Sequence, residues 1–229
     1  MQTALVTGAS RGFGLATARA LTARGFGLVV DGRDPDDLAA AQASLGPDAV
    51  AVPGDVADDD HRRRLAYAVA ATGRLDLLVH NASTLGGPLG PLATIDPAAL
   101  ARTYAVNVVA PVALTGLLLP LLRRSGGVVV HLSSDAAVAA YPGWGGYGSS
   151  KAALDQVSAV LAVEEPALAV YALDPGDMRT RMHQEAFPGE DISDRPPPEA
   201  VVPALLRLLD ERPPGGRYRA ADLLAGAVA

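Results

Sequence analysis

A chain of 229 residues, 49% of them hydrophobic, is long enough for one α/β domain with a sizeable core. A net charge of −6 and a pI near 5.1 argue against a general nucleic-acid binder. The absence of cysteine excludes disulfides, thiolate catalysis and Cys-ligated zinc, and the four histidines lack metal-ligand spacing, so no metal site is expected.

The chain enters a strand-like run at 3–7 with neither a basic region nor a long apolar stretch before it, so no signal peptide is expected. The longest apolar run, 117–122, is too short to cross a bilayer. These features predict a soluble cytoplasmic protein without membrane or nucleic-acid partners.

Residues 3–7 read as a buried strand and 15–24 as a helix, with Gly8-Ala9-Ser10-Arg11-Gly12-Phe13-Gly14 between them. Glycines let the backbone turn tightly and approach a pyrophosphate, and the helix N-terminus offers free N–H groups to the anion. That spacing between strand and helix predicts a nucleotide site. Residues 27–31 close a βαβ unit. An acid at this strand end accepts a ribose 2′-hydroxyl, whereas a nearby arginine accommodates a 2′-phosphate. Asp31-Gly32-Arg33 offers both.

A helix at 37–45 precedes a strand at 49–53 that ends in Gly54-Asp55-Val56, where Asp55 could bond the adenine amine or cap a turn. The helix at 58–71 carries Arg62-Arg63-Arg64, read as a solvated face. A strand at 74–79 runs into His80-Asn81-Ala82-Ser83. After a Gly/Pro-rich loop, 97–122 carries a long helical pattern that Pro111 and Pro120 should bend or end. Asn107 inside it is costly unless hydrogen-bonded.

The β-branched run at 126–132 reads as a central strand ending at Ser133-Ser134. His80 and His131 read as core or network groups. Gly8, Asp55, Asn81 and Ser134 all fall at strand ends, so one crevice should collect them. Tyr147 and Lys151, one helical turn apart, share a face. The ammonium should lower the tyrosine pKa from about 10 towards neutrality, which suits alcohol–carbonyl interconversion. Ser134 can hold the carbonyl oxygen. Tyr141 and Trp144 stand before this pair as candidate pocket walls. A sixth strand at 169–173 leads to Pro175-Gly176. The polar stretch 177–198 follows, then an amphipathic helix at 199–212 and a short strand after Gly215.

Together, Thr7–Gly14, Asp55-Val56, Asn81-Ala82, Asn107, Ser134, Tyr147-x-x-x-Lys151, Pro175-Gly176 and Thr180 resemble the short-chain dehydrogenase/reductase family in its single-domain form. The resemblance implies an α/β, Rossmann-like, doubly wound parallel sheet of about seven strands with helices on both faces, one domain over 1–229, and a variable substrate loop at 177–198. Met178, Met182 and Phe187 would be its apolar contacts.

It further implies Tyr147 as general acid/base, Lys151 as its partner and a ribose ligand, and Ser134 as substrate anchor. Asn107 would hold a relay water. Cofactor contacts fall to Gly8, Ser10, Arg11, Gly12, Phe13, Gly14, Arg33, Asp55, Val56, Asn81, Ala82, Pro175, Gly176 and Thr180. The residue that discriminates between cofactors is Gly32, not an acid. Arg33 and Arg11 can clamp a 2′-phosphate, while strand alternation turns Asp31 away. NADP(H) is therefore favoured, with NAD(H) left open. Ser83 departs from the usual family glycine and adds a Cβ beside the cofactor. The resemblance implies carbonyl–alcohol interconversion on a small molecule by a homodimer or homotetramer. The alternatives are an NAD-dependent alcohol dehydrogenase and a catalytically idle NADP-binding regulator.

Overall fold

In the computed structural model, which describes residues 1–226, the short apolar runs form strands and the stretches between them coil into helices. Strands β1 (Thr3–Val6), β2 (Gly27–Gly32), β3 (Val50–Pro53), β4 (Leu77–His80), β5 (Val128–Leu132), β6 (Ala169–Asp174) and β7 (Gly216–Arg219) make one parallel sheet. Its order is β3-β2-β1-β4-β5-β6-β7, the doubly wound arrangement expected. The order reverses between β1 and β4, and the crevice beyond their carboxyl ends is the ligand position of such sheets.

Alternation along the strands builds two cores. Ala4, Val6, Leu77, Val79, Val128 and Val130 face one layer. There they meet Phe13 and Leu21 of α1 (Gly12–Ala23) and Leu205 and Leu208 of α8 (Pro198–Glu211). Leu5, Val29, Leu78 and Val129 face the other layer, against Leu65 and Val69 of α3 (Asp59–Ala71) and Leu114 and Leu118 of α5 (Ala110–Ser125). Both faces of β1, β4 and β5 are covered, which is why these strands carry no polar alternation.

Asp-Pro pairs start two helices. Asp34 before α2 (Pro35–Leu45) and Asp96 before α4 (Pro97–Tyr104) each accept two backbone N–H bonds, and the proline following each has no N–H to leave unpaired. At the other end of α5, Gly126 takes the left-handed conformation that closes the helix (φ 58°). The remaining helices are α6 (Gly145–Glu164), α7 (Arg181–Ala186) and α9 (Ala220–Leu224). Helix α7 lies within the stretch expected to be loop.

Two expectations need correction. The helical pattern is not broken at Pro111 or Pro120: α4, a π-helical turn at Ala105–Val109 and α5 run on as one helix. Pro111 falls beside the π turn, where the regular ladder is already interrupted. Pro120 and Gly116 are both exposed, so the carbonyl that the proline leaves unbonded faces water. The whole helix, Pro97–Ser125, has 29 residues and is long and apolar enough to match a membrane span by length and composition. Its Leu114, Leu118, Leu121 and Leu122 are packed in the core of this fold.

The second correction concerns Arg62, which is not on a solvated face. It is buried, and its guanidinium donates to the Val56 carbonyl at 2.7 Å, tying α3 to the turn after β3. Arg63 and Arg64 are exposed as expected.

Candidate active site

The glycine loop is held from below. Thr7 Oγ1 accepts the Asn81 and Ala82 N–H groups at 3.1 Å, and Asn81 Nδ2 donates to the Thr7 and Gly8 carbonyls at 2.8 and 3.0 Å. The β4 end is thereby stitched to the β1 end, and the Asn81 amide nitrogen is spent on the loop. Gly8 has φ 65°, and a Cβ there would stand 2.8 Å from Ala82 Cα. At Gly14 a Cβ would lie 2.5 Å from the Gly8 carbonyl and run into Asn81 Nδ2. Gly14→Ala is therefore expected to cost about 1–3 kcal/mol in urea melts, since the atoms it meets belong to the locked loop.

Above the loop, α1 begins without a side-chain cap and without an acid in its first turn. Its free N–H groups and positive end are available to an anion. This uncapped helix end over a floor of obligatory glycines fits a dinucleotide pyrophosphate.

Asp31 behaves as alternation predicted. Its Oδ1 accepts the Gly8 N–H at 2.6 Å and its Oδ2 meets His61 Nε2 at 3.0 Å, with both side chains buried. Burial raises the Asp31 pKa, and these two bonds oppose the rise. The carboxylate thus braces the loop, with both of its oxygens already engaged. A Cβ on Gly32 would come to 3.0 Å from Ser10 Cβ, so any larger residue there must displace Ser10. Arg33 is exposed at the cleft and makes no ion pair among the described residues, whereas Arg11 is held by Asp37 at 2.8 Å. The expected two-arginine clamp is thus half engaged. Asp55 pairs with Arg102 of α4 and accepts the Ala57 N–H at 2.9 Å. Burial pushes its carboxyl up, but Ala57 and Arg102 outweigh that and hold it below its ordinary value.

Beyond β5, Ser134 Oγ donates to Asp135 Oδ1 at 3.0 Å and accepts the Ala136 N–H at 3.2 Å. Ser134 and Ser83 lie beside the Tyr147 phenol in the cleft and act to lower its pKa. Lys151 Nζ lies 5.5 Å from the Tyr147 ring centre and donates to the Leu132 carbonyl at 2.6 Å. The expected lowering of the tyrosine pKa is reversed. Burial raises Tyr147 to about 12, against the pull of the two serines, and lowers Lys151 to about 8, against the pull of Asp155. In so dry a site, withdrawal from water outweighs the charge–phenol attraction that the spacing alone suggests. Lys151 is also the only lysine in the chain; every other member of the 19 Lys and Arg residues is arginine. A guanidinium cannot be neutralised in this way, and an ammonium can.

Asn107 sits in the π turn with all four side-chain valences used. Its Oδ1 accepts from Ser83 Oγ (3.2 Å) and the Thr84 N–H (2.9 Å), and its Nδ2 donates to the Thr84 carbonyl and Ser150 Oγ, each at 3.0 Å. A relay water expected on Asn107 must therefore use its main chain. Ser83 lines the cleft, with its hydroxyl turned to Asn107 Oδ1.

These groups open on one cleft of about 320 Å³, and every expected site residue lines it except Gly14 and Asn107, which support it from behind. Pro175 and Gly176 line it, and so does Thr180, whose methyl would lie 3.6 Å from a Cβ on Gly12. Trp144 walls it, edge-on to Tyr147 at 5.8 Å and backed by Phe187 at 5.7 Å. Met178 and Met182 complete that wall. Tyr141 does not line the cleft; its hydroxyl donates to Asp135 at 2.9 Å. Sequence reasoning missed His61, Arg102 and Arg217, none of which stands in a recognisable motif.

A profile of the short chain dehydrogenases matches residues 2–191. The chain belongs to the short-chain dehydrogenase/reductase family. This oxidoreductase is 37% identical over 181 residues to the uncharacterized oxidoreductase YIR035C of Saccharomyces cerevisiae, covering 78% of this chain and 71% of the relative. It is 32% identical over 216 residues to the uncharacterized oxidoreductase YciK of Escherichia coli, covering 90% and 85%. A short chain dehydrogenase from Shigella flexneri, solved in complex with NADP, superposes on this dehydrogenase with a TM-score of 0.90 at 31% identity, covering 96% and 97% of the two chains.

Proposed function

We propose that this short-chain dehydrogenase reduces a carbonyl group on a small molecule to a secondary alcohol with NADPH, and runs the reverse with NADP. The observation that carries the reading is the meeting of Ser134, Tyr147 and Lys151 in one cleft with the glycine loop and the uncapped α1 end. Gly8, Gly12 and the α1 N–H groups would hold the pyrophosphate, and Arg33 the 2′-phosphate. When bound, the nicotinamide supplies or takes up a hydride.

The chain's own residues handle the oxygen and the proton. Ser134 Oγ turns from Asp135 to the substrate oxygen and fixes its position. Tyr147 then donates its phenolic proton to that oxygen. The phenolate left behind is stabilised by the nearby Lys151 ammonium. Trp144, Met178 and Met182 exclude water. These apolar walls favour a substrate with an apolar flank, and the stretch 177–198 that carries both methionines acts as the substrate segment of a single domain.

The cofactor choice rests on Asp31 being bound to Gly8 and His61 and on Arg33 standing unpaired. Arg33→Ala is expected to weaken NADPH binding about ten- to hundredfold, the worth of one charge-assisted contact, and to leave NADH binding unchanged. Equilibrium titration of both cofactors reads this directly, and an unchanged NADPH affinity would sink the clamp. The reaction itself is tested by NADPH consumption against ketones, aldehydes and diketones. The exposed apolar stripe Val109, Val112 and Leu117 on the long helix, with Val160 and Val163 on α6, supports a homodimer or homotetramer, which light scattering would report. A cytoplasmic location accords with this cofactor use.

A further inference from the structure

Behind Ser134, on the side away from the glycine loop, lies a charged cluster that the reaction does not use. Arg217, in the last strand, donates through Nη2 to the Ser134 carbonyl at 2.9 Å and to Asp174 Oδ2 at 2.9 Å. Its Nε donates to Asp155 Oδ2 at 3.0 Å. The three partners belong to three walls of the site. Ser134 is the substrate anchor. Asp174 ends β6 and also accepts the Gly176 N–H at 3.0 Å, so it shapes the Pro175-Gly176 turn. Asp155 lies on α6 one turn beyond Lys151. Both carboxylates are largely buried, Asp155 Oδ1 has no hydrogen-bond partner among the described residues, and among those residues the Arg217 guanidinium is the one cation in ion-pair contact with either.

We propose that Arg217 is a positioning residue of the active site: it fixes Ser134 through its carbonyl and, by neutralising Asp155 and Asp174, sets the charge environment in which Lys151 and Tyr147 exchange protons. The proposal deepens the reductase reading above and rests on it only for its kinetic consequences. The groups facing the pair are few. Asp155 on α6, His131 on β5 and the Leu132 carbonyl face Lys151. Asp135 after β5 and Asp174 at the end of β6 face Tyr147. Of these charged groups, Asp155 and Asp174 are the two that Arg217 covers. Without it, two uncompensated carboxylates bear on the site, and both favour retention of a proton by Lys151 and Tyr147. The main-chain anchor of Ser134 is lost at the same time.

The single lysine makes the test direct. A chain labelled with [ε-13C]lysine gives one side-chain resonance, from Lys151, whose titration needs neither substrate nor turnover. Arg217→Met and Arg217→Gln are expected to raise its midpoint by about one pH unit, the size of an unscreened buried charge at this range. Asp155→Asn added to either variant should bring the midpoint back. Asp155→Asn in the otherwise native chain should lower it, which keeps the test open if the Arg217 variants fold poorly. In turnover, Arg217→Met should lower kcat by about tenfold through the misplaced Ser134, and the midpoint of the pH–rate curve should move upward with the resonance. A Lys151 midpoint that stays put in folded Arg217→Gln overturns the proposal, as does a kcat loss with an unmoved pH–rate curve, which marks a merely structural residue. If the native protein turns over no carbonyl, the reductase reading fails while the resonance still decides the role of Arg217.

Discussion

Tyr147→Phe should retain NADPH binding and lose turnover by about 10²- to 10⁴-fold, the usual contribution of a positioned proton donor. Only the hydroxyl is removed. The ring that packs edge-on to Trp144 stays, so the cleft keeps its shape. The cost falls on the step that needs a proton at the substrate oxygen, because Ser134 can hold that oxygen but is too weak an acid to supply the proton. The structure sharpens the expectation. Burial holds Tyr147 near 12 and Lys151 near 8, so through the neutral range the phenol is intact and ready as an acid for reduction. Alcohol oxidation needs the phenolate and should gain as the pH rises. Parallel measurement of NADPH affinity and kcat in the variant decides the matter: a kcat within a few-fold of native would remove Tyr147 from the reaction.

The second large effect is acid lability. His80 and His131 are register partners on β4 and β5, stacked with ring centres 4.9 Å apart and fully inside the sheet. His80 bonds Thr115 at 2.8 Å and His131 bonds Ser158 at 2.6 Å, while His131 Nε2 has no partner among the described residues. Burial holds both imidazoles neutral, aided by their mutual repulsion in the case of His80 and by Lys151 in that of His131, which is lowered to about 3.

In the unfolded chain each histidine takes a proton below about pH 6.5, whereas in the folded chain neither does until far lower. The unfolded state therefore binds more protons in that window, so stability is full above it and falls as the pH drops from about 6.5 towards 3. At about pH 5 the loss is about 2 kcal/mol per histidine, some 4 kcal/mol for the pair, a large share of a typical domain's stability. Urea unfolding at about pH 7.5 and pH 5 should show this drop, and His131→Leu should remove about half of it. Equal drops in native and variant chains would assign the lability elsewhere.

The fold is legible in the sequence because its determinants are local. A buried β-branched run beside an amphipathic helix leaves few options, and the glycine loop marks the switch point by its spacing alone. The positions of Ser134, Tyr147 and Lys151 are legible for the same reason, since strand ends and helical spacing place them. Their protonation is not. Spacing supplies a charge and a distance, while the outcome turns on how much water the surrounding walls exclude, a property of the whole assembly. Asp31 lies in between: alternation turns its side chain to the α3 layer but says nothing of His61, thirty positions along, which receives it. Arg62 and the unbroken helix through Pro120 escape because a run of like residues hides which of them faces inward. Ser83 stands out in the sequence as a departure, yet only the packed site reveals that its hydroxyl bonds Asn107.

The last strand has a bearing on how the molecule comes into being. Within the sheet β7 pairs with β6 alone, and it brings Arg217 to a carbonyl 83 residues earlier in the chain. Such a contact is among the last to close, because long loops must be ordered before it gains anything. During synthesis every motif residue, from the glycine loop to Thr180, has emerged before this strand exists. A nascent chain can thus own the whole chemical inventory while the carboxylates behind Ser134 still lack their cation. The sheet edge and the guanidinium that covers Asp155 and Asp174 thus arrive together, after every motif residue has been made.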